Sequence, residues 1–380
     1  FLFTVLCQCL GMTDHLDFAS DNWAGVSQPV LDAIIAANAG YAPAYGNDEV
    51  TARMQARFAE AFERDLLVIP VPTGTAANGL ALDALTHRNG LIVAHEEAHI
   101  FTKEAGARAF FNDQARLIKM HGVAGKLSPN DLDDLLGGLS PADRSPVRRH
   151  ATVSITQGTE CGAVYRPNEV SALSAVARKH HVHMHMDGAR FANAVATLGC
   201  KPADITWRVG IDVLTFGVTK NGAMGTDAIV IFDPKGAGAE ATQRAQEAWD
   251  WFGYVMSKGR FAAAQLDAML VNDHWLDLAR RANAMADRLA RGLSALPGVR
   301  LAFPREINEV FAILPPAVDE AMRAAGARYH PWNSKATAPD NAPRGDERLM
   351  RMVCSFQTSE ASVDRLIAAA ASAAPARAAE

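Results

Sequence analysis

A succession of short apolar runs, spaced by segments of helical periodicity, constrains this chain more than any other feature. The runs cover 66–72 ("LLVIPVP"), 91–96, 115–121, 151–157, 182–187, 211–219 and 227–233. Between them stand "TGTAANGLALDAL", "PNEVSALSAVARKH" with Pro167 at a helix start, and "ARFANAVATLG". Strands alternating with helices in this order predict an α/β fold whose mostly parallel sheet is covered on both faces. In such sheets reactive groups collect at the carboxyl ends of the strands. Beyond residue 260 the pattern changes to a long amphipathic segment (283–296), short apolar runs in "VRLAFP", "EVFAILP" and "RLMRMVCSF", and a last helix in "SVDRLIAAAA". This predicts a smaller C-terminal α+β domain. The expected division is an N-terminal extension (1–17), a large domain (18–258) and a small domain (259–380).

The ends add little. "FLFTVLCQCLG" is apolar but lacks a basic lead and is too short to span a bilayer, and Met12 offers a natural start. Residues 1–11 are expected to be without function, and the alanine-rich 368–380 to fray. A net charge of -5 gives no electrostatic reason to expect nucleic acid or an anionic membrane as partner. The five cysteines (Cys7, Cys9, Cys161, Cys200, Cys354) form no C-x-x-C pair, which fits a reducing cytoplasm rather than a disulfide framework or zinc ribbon.

The stretch "HHVHMHMDGAR" invites a metal-site reading. Strand alternation puts His181, His183, His185 and Asp187 on one side. Same-side residues on a strand stand roughly 6–7 Å apart, so only neighbours could share an ion. No second ligand cluster supports one, and no metal is expected; the histidines read as strand filling. The informative residue is Asp187, which closes the run and precedes Gly188.

Lys220 ends the next apolar run, in "LTFGVTKNGAMGTDA". Small, glycine-rich surroundings suit a lysine that attacks a carbonyl as a free amine, although a surface lysine in a loop would read the same. Upstream, "PTGTAANG" is a glycine turn entering a helix, where backbone N–H groups would suit a phosphate; the bland alternative is an ordinary turn with Thr75 as N-cap. There is neither G-x-G-x-x-G nor a P-loop. A phosphate site, an amine and a carboxylate together match one cofactor, pyridoxal 5′-phosphate, whose ring nitrogen needs an acid partner if the ring is to act as an electron sink.

The segments "FASDNWAG", "AYGNDEVTARM", "PTGTAANGLAL", "AHEEAHIFTKEAGA", "HMDGARFANA" and "FGVTKNGAMGTDA", in that order, resemble the low-specificity L-threonine aldolases. The resemblance spans most of residues 18–260 and implies a fold-type I pyridoxal-phosphate enzyme that cleaves L-threonine, L-allo-threonine and related β-hydroxy-α-amino acids to glycine and an aldehyde. It implies that Lys220 forms the Schiff base, Asp187 pairs with the pyridine nitrogen, and Gly74 and Thr75 hold the phosphate. Arg190 would approach the cofactor's phenolic oxygen and the substrate carboxylate. His99 would stack on the ring near the substrate hydroxyl, while Ser20 and Arg351 complete the carboxylate site. It also implies a homotetramer with active sites between subunits, where Lys258 or Arg260 would reach a neighbour's phosphate.

One position departs from the family pattern. Where many members carry Thr-His-Asn-Gly, this chain reads "GTECG", with Glu160 in the histidine's place. The proton acceptor for the β-hydroxyl is then His99, Glu160, or a water held by Glu160. Two rivals remain: another lyase or aminotransferase reaction on the same scaffold, and a silent cofactor-binding protein.

Overall fold

A computed structural model describes residues 16–87, 89–104, 115–139 and 151–375. Most of the expected N-terminal extension, including Cys7, Cys9 and Met12, lies outside the described residues. Helices α1 (Gln28–Ala37) and α2 (Glu49–Ala61) precede strand β1 (Leu66–Val71). There follow α3 (Gly74–Leu85), β2 (Leu91–His95), the single turn α4 (His99–Thr102) and β3 (Arg116–Met120). Next come α5 (Pro129–Gly138), β4 (Thr152–Thr156), α6 (Pro167–Lys179), β5 (His183–Gly188) and α7 (Phe191–Leu198). Strands β6 (Val213–Phe216) and β7 (Asp227–Phe232) and helix α8 (Ala239–Trp251) complete the large unit's α/β run.

The seven strands form one sheet in the order β1-β7-β6-β5-β4-β2-β3. Strand β7 runs antiparallel to both its neighbours, and every other strand points the same way. Strands β2, β6 and β7 are buried at every position, because helices cover both faces. On one face Phe58, Phe62, Phe191, Phe216 and Trp275 interlock, with the Phe58 and Phe216 ring centres 5.1 Å apart. Burying each such side chain contributes about 1.5–3 kcal/mol. On the other face the alanines of α3 and α8 (Ala77, Ala81, Ala84, Ala241, Ala245) lie against Ile229 and Ile231. Small residues there let α3 settle close to the sheet.

Helix α9 (Arg260–Leu270) packs on α1 and α2, and α10 (His274–Ser294) connects the two parts of the molecule. Trp275, Leu276 and Ala279 of α10 belong to the first core, whereas Ala286, Leu289 and Leu293 belong to a second. That second core lies under a four-stranded antiparallel sheet in the order β10-β11-β9-β8. Its strands are β8 (Arg300–Leu301), β9 (Glu309–Leu314), β10 (His330–Pro331) and β11 (Arg348–Val353). Helices α11 (Pro316–Ala324) and α12 (Glu360–Ala371) complete it. Leu16 and Phe18 enter this core as well, and Val353 N donates to Phe18 O at 2.8 Å. The strand-like N-terminal segment therefore brings Ser20 and Asp21 to the junction between the two cores.

Four expectations need correction. His181 is not in the strand: it sits in a turn with φ of +57°, and β5 begins at His183. The run at 211–219 leaves the ladder after Phe216, because the Asp227 carboxylate draws the N–H groups of Val218 (2.7 Å) and Thr219 (3.0 Å) into a 3-10 turn. The helix read at 283–296 starts nine residues earlier, at His274. The alanine-rich end does not fray from 368: α12 runs through Ala371 and buries Ala370, and 376–380 lie outside the described residues. Among the described residues no helix is long and apolar enough to cross a membrane.

Candidate active site

The carboxyl ends of β1, β2, β4, β5 and β6 converge on one edge of the sheet. Each is followed by one of the residues singled out in the sequence: Gly74, His99, Glu160, Asp187 (itself in β5) and Lys220. Strands β5 and β6 are neighbours, with Asp187 opposite Thr215. Their ends must lie very close. A Cβ on Gly188 would come within 2.4 Å of Thr215 O, and one on Gly217 within 2.7 Å of Ala189 Cα. Glycine at these two positions is what lets the Asp187 and Lys220 segments approach.

A cavity of about 270 Å³ opens at this edge, bordered by Gly74, Thr75, His99, Asp187 and Lys220. Asp187 is 3% exposed. Its Oδ1 accepts from Ala189 N (3.0 Å) and its Oδ2 from Asn78 Nδ2 (2.8 Å). Helix α3 points its N-terminus into the cavity. Its N-cap is Thr73, whose hydroxyl accepts from Ala76 N at 3.1 Å, and not Thr75. The Thr75 hydroxyl instead donates to Glu104 Oε1 at 2.9 Å. A Cβ on Gly74 would meet only Asp227 Oδ2, at 3.6 Å, so the approach to the helix end stays open.

His99 opens the short helix α4. Its Nδ1 lies 2.8 Å from Glu104 Oε1, and its backbone N–H donates to Glu160 Oε1 at 2.8 Å. Burial works against a charged Glu104, but hydrogen bonds from His99, Asn78 and Thr75 and the His99 charge prevail and hold its carboxyl below the ordinary glutamate value. Glu160 goes the other way. Burial, followed by the charge of Asp187, pushes its carboxyl up to about 7. Its Oε1 also accepts from Thr156 Oγ1 (3.0 Å), while its Oε2 is buried without a partner among the described residues.

A second, larger cavity of about 780 Å³ adjoins the first, and His99, Lys220 and Asn22 border both. Ser20, Glu160, Arg190, Glu309, Trp332 and Arg351 line it. Arg190 is held by Asp21 through two bonds, Nε to Oδ2 at 2.9 Å and a terminal nitrogen to Oδ1 at 3.1 Å, with Glu309 at 3.4 Å. Burial opposes its charge, but Asp21 and Glu309 prevail and raise its pKa. Burial raises the Glu309 carboxyl despite Arg190 and Arg351 nearby. Arg351, on β11, stacks its guanidinium over Trp332 at 4.7 Å, and its Nε is buried without a partner among the described residues. The Ser20 hydroxyl caps the next turn by accepting from Asn22 N at 3.2 Å.

Lys258 and Arg260 border neither cavity in this chain, and Lys258 is exposed. Of the strand histidines, His185 is buried between Ser154 Oγ (2.9 Å) and Thr215 Oγ1 (3.2 Å), and burial lowers its pKa to about 4, so it is a neutral core residue. Among the described residues no group of three or more His, Cys, Asp or Glu side chains is arranged to hold a metal ion. Asn78, Glu104, Asp21, Asp227 and Glu309 also belong to the site, although the sequence alone does not mark them as site residues. Asp21, Asn78, Glu104 and Asp227 lie inside motifs already quoted, and the spacing of Thr75 and Asn78, three apart on α3, is the available signal for a shared helix face.

Known proteins share this arrangement of segments. A family model described as "Beta-eliminating lyase" matches residues 17–315. The low specificity L-threonine aldolase of Pseudomonas aeruginosa is 40% identical over 349 residues, covering 91% of this chain and 95% of the relative. That of Pseudomonas sp. is 39% identical over 94% of this chain and 98% of the relative. Among solved structures, a threonine aldolase of Leishmania major superposes with a TM-score of 0.82 at 25% identity, covering 93% of this chain and 98% of that one.

Proposed function

The chain belongs to the low-specificity L-threonine aldolase family, pyridoxal-phosphate carbon–carbon lyases of fold type I, and from that membership we propose how its two adjoining cavities divide the work. The smaller cavity suits the cofactor. A helix N-terminus offers N–H groups to a phosphate, a buried carboxylate meets a ring nitrogen, and a lysine meets an aldehyde. Gly74 and Thr75 would hold the phosphate through their backbone N–H groups, Asp187 would keep the ring nitrogen protonated, Lys220 would anchor the aldehyde carbon, and His99 would lie against the ring. Bound there, pyridoxal phosphate supplies the electrophilic carbon for the substrate amine and the electron sink for the pair released at Cα.

The larger cavity suits the amino acid. Arg351 and Ser20 take its carboxylate, and Arg190, already oriented by Asp21, completes that side. The bond to be broken joins Cα and Cβ of a β-hydroxy-α-amino acid such as threonine. As it breaks, the β-hydroxyl proton moves to Glu160 Oε2, and the Cβ fragment leaves as acetaldehyde. Glu160 suits this step because its carboxyl sits at about 7, so it is poised between both forms near neutrality. The proton balance closes when Cα takes up a proton equivalent to the one that left the β-hydroxyl, which gives glycine; the Lys220 amine would then displace it.

The observation that carries this reading is that Asp187, Lys220, His99 and the α3 N-terminus border one cavity while Arg190, Arg351 and Glu160 border the next. The test is product analysis with threonine, allo-threonine and phenylserine. Glycine with acetaldehyde from threonine supports it; 2-oxobutyrate would support the β-elimination alternative, and 2-oxo-3-hydroxybutyrate, the oxo acid that transamination of threonine yields, would support the aminotransferase alternative. A homotetramer in the cytoplasm belongs to the same proposal; the free thiols of Cys161, Cys200 and Cys354 fit that compartment, and the assembly rests on the family resemblance alone. Light scattering of the purified chain tests the assembly.

A further inference from the structure

Helix α3, strand β5 and the segment after α4 meet at one amide. Asn78 Nδ2 donates to Asp187 Oδ2 at 2.8 Å and to Glu104 Oε2 at 3.1 Å, while Asn78 Oδ1 is buried without a partner among the described residues. This orientation is forced. Two carboxylates flank the amide, and only the NH2 group can face both without setting oxygen against oxygen. The second oxygen of Glu104 accepts from His99 Nδ1 (2.8 Å) and Thr75 Oγ1 (2.9 Å). One 4%-exposed carboxylate is thereby linked to a histidine at one side of the smaller cavity and, through one amide, to the carboxylate at another.

We propose that Glu104 is a positioning residue whose carboxylate, acting through Asn78, holds the His99 ring and the Asp187 carboxylate in a single frame. Three consequences follow from its chemistry. In its neutral form His99 is held with its proton on Nδ1, because a carboxylate can only accept there, which leaves the lone pair on Nε2. Asp187 has one oxygen occupied by Asn78 and the other by a backbone N–H, so it cannot swing. The Thr75 hydroxyl has its proton committed to Glu104, so only the backbone N–H of Thr75 remains as a donor to an anion at the α3 end.

This inference rests on the reading of the cavity as a pyridoxal-phosphate site, but its test has an arm that does not. The full chain, labelled with ¹⁵N-histidine, is examined without cofactor as wild type, Glu104→Gln and Glu104→Leu. Wild type should show His99 protonated at Nδ1. Glu104→Gln keeps an oxygen toward His99, so that tautomer should persist. It also sets an NH2 against Asn78 Nδ2, so affinity for pyridoxal phosphate should fall about 10- to 100-fold and the visible circular dichroism of the bound cofactor should change. Glu104→Leu should lose both signatures while far-ultraviolet dichroism stays native. A folded Glu104→Leu chain with the wild-type His99 tautomer and dichroism would overturn the proposal, and so would a Glu104→Gln chain that binds the cofactor as wild type does. Failure of wild type itself to bind pyridoxal phosphate would instead defeat the cofactor reading, leaving the tautomer result to judge Glu104.

Discussion

The two cavities differ in how completely their polar walls are paired. In the smaller one, both oxygens of Asp187 and both oxygens of Glu104 accept hydrogen bonds from the protein itself. In the larger one, Glu160 Oε2, Glu309 Oε2 and Arg351 Nε are buried with no partner among the described residues. A buried polar atom without a partner costs about 1–3 kcal/mol. The chain carries that cost at three atoms on the side proposed for the amino acid and at one, Asn78 Oδ1, on the side proposed for the cofactor, whose carboxylates are fully paired. Such a division suits a fixed frame facing a group that stays and an open set of groups facing one that comes and goes.

The largest effect should come where the cavities meet. Lys220 borders both. Lys220→Ala should reduce aldehyde release to background and abolish the visible absorbance that pyridoxal phosphate gains on binding; retained turnover would erase the division altogether. Next is Glu160. A proton acceptor must be ionised, and this carboxyl is raised to about 7 by burial and then by Asp187. Activity should therefore hold above about pH 7 and fall about tenfold per unit below it. Glu160→Gln should remove that acid limb and lower kcat by about 10²–10⁴. A Gln variant with the wild-type profile would hand the role to His99.

Asp187 tests the paired side. Asp187→Ala should cost about 10²–10³ in kcat, because a fixed charge aimed at the reacting system is lost, and Asp187→Glu should cost less. Mild, equal effects would mean that the paired wall serves structure alone. Asp187 also shows what the sequence made legible. Every strand that carries a candidate residue appeared as an apolar run, and a parallel sheet sends such residues to one edge. The partners stayed hidden. Nothing in "FASDN" tells that Asp21 grips Arg190 from 169 positions away, and nothing in "NEVFAIL" tells that Glu309 turns inward from β9. Those pairings exist because α10 joins two cores and the N-terminal segment pairs with β11, and such contacts leave no local periodicity to read. His181 illustrates the opposite failure: the alternation in the sequence runs back to it, but a left-handed turn there precedes the strand, which starts only at His183.

Arg351 tests the open side. Its stacked guanidinium and unpaired Nε predict that Arg351→Lys, which keeps charge but loses the planar fork, raises KM for threonine about 10- to 100-fold with a smaller change in kcat. Affinity for pyridoxal phosphate should not move. A shift in cofactor affinity as large as the shift in KM would show that the two walls are not separable.

The smallest effect sharpens the paired side further. Thr73→Ala removes the N-cap of α3 and frees Ala76 N–H at the very end proposed to meet the phosphate. Loss of such a cap costs about 1 kcal/mol, which in a chain of this size lowers Tm by roughly 2 °C. A ligand that binds only the folded state adds stability according to its concentration over its Kd, so saturating pyridoxal phosphate should raise Tm in both proteins. If the phosphate sits on the α3 N-terminus, it draws the freed N–H groups back into use, and the gap between wild type and Thr73→Ala should narrow with cofactor present. A gap that stays the same with and without cofactor would place the phosphate elsewhere, and the closed, self-paired wall would then need a different occupant.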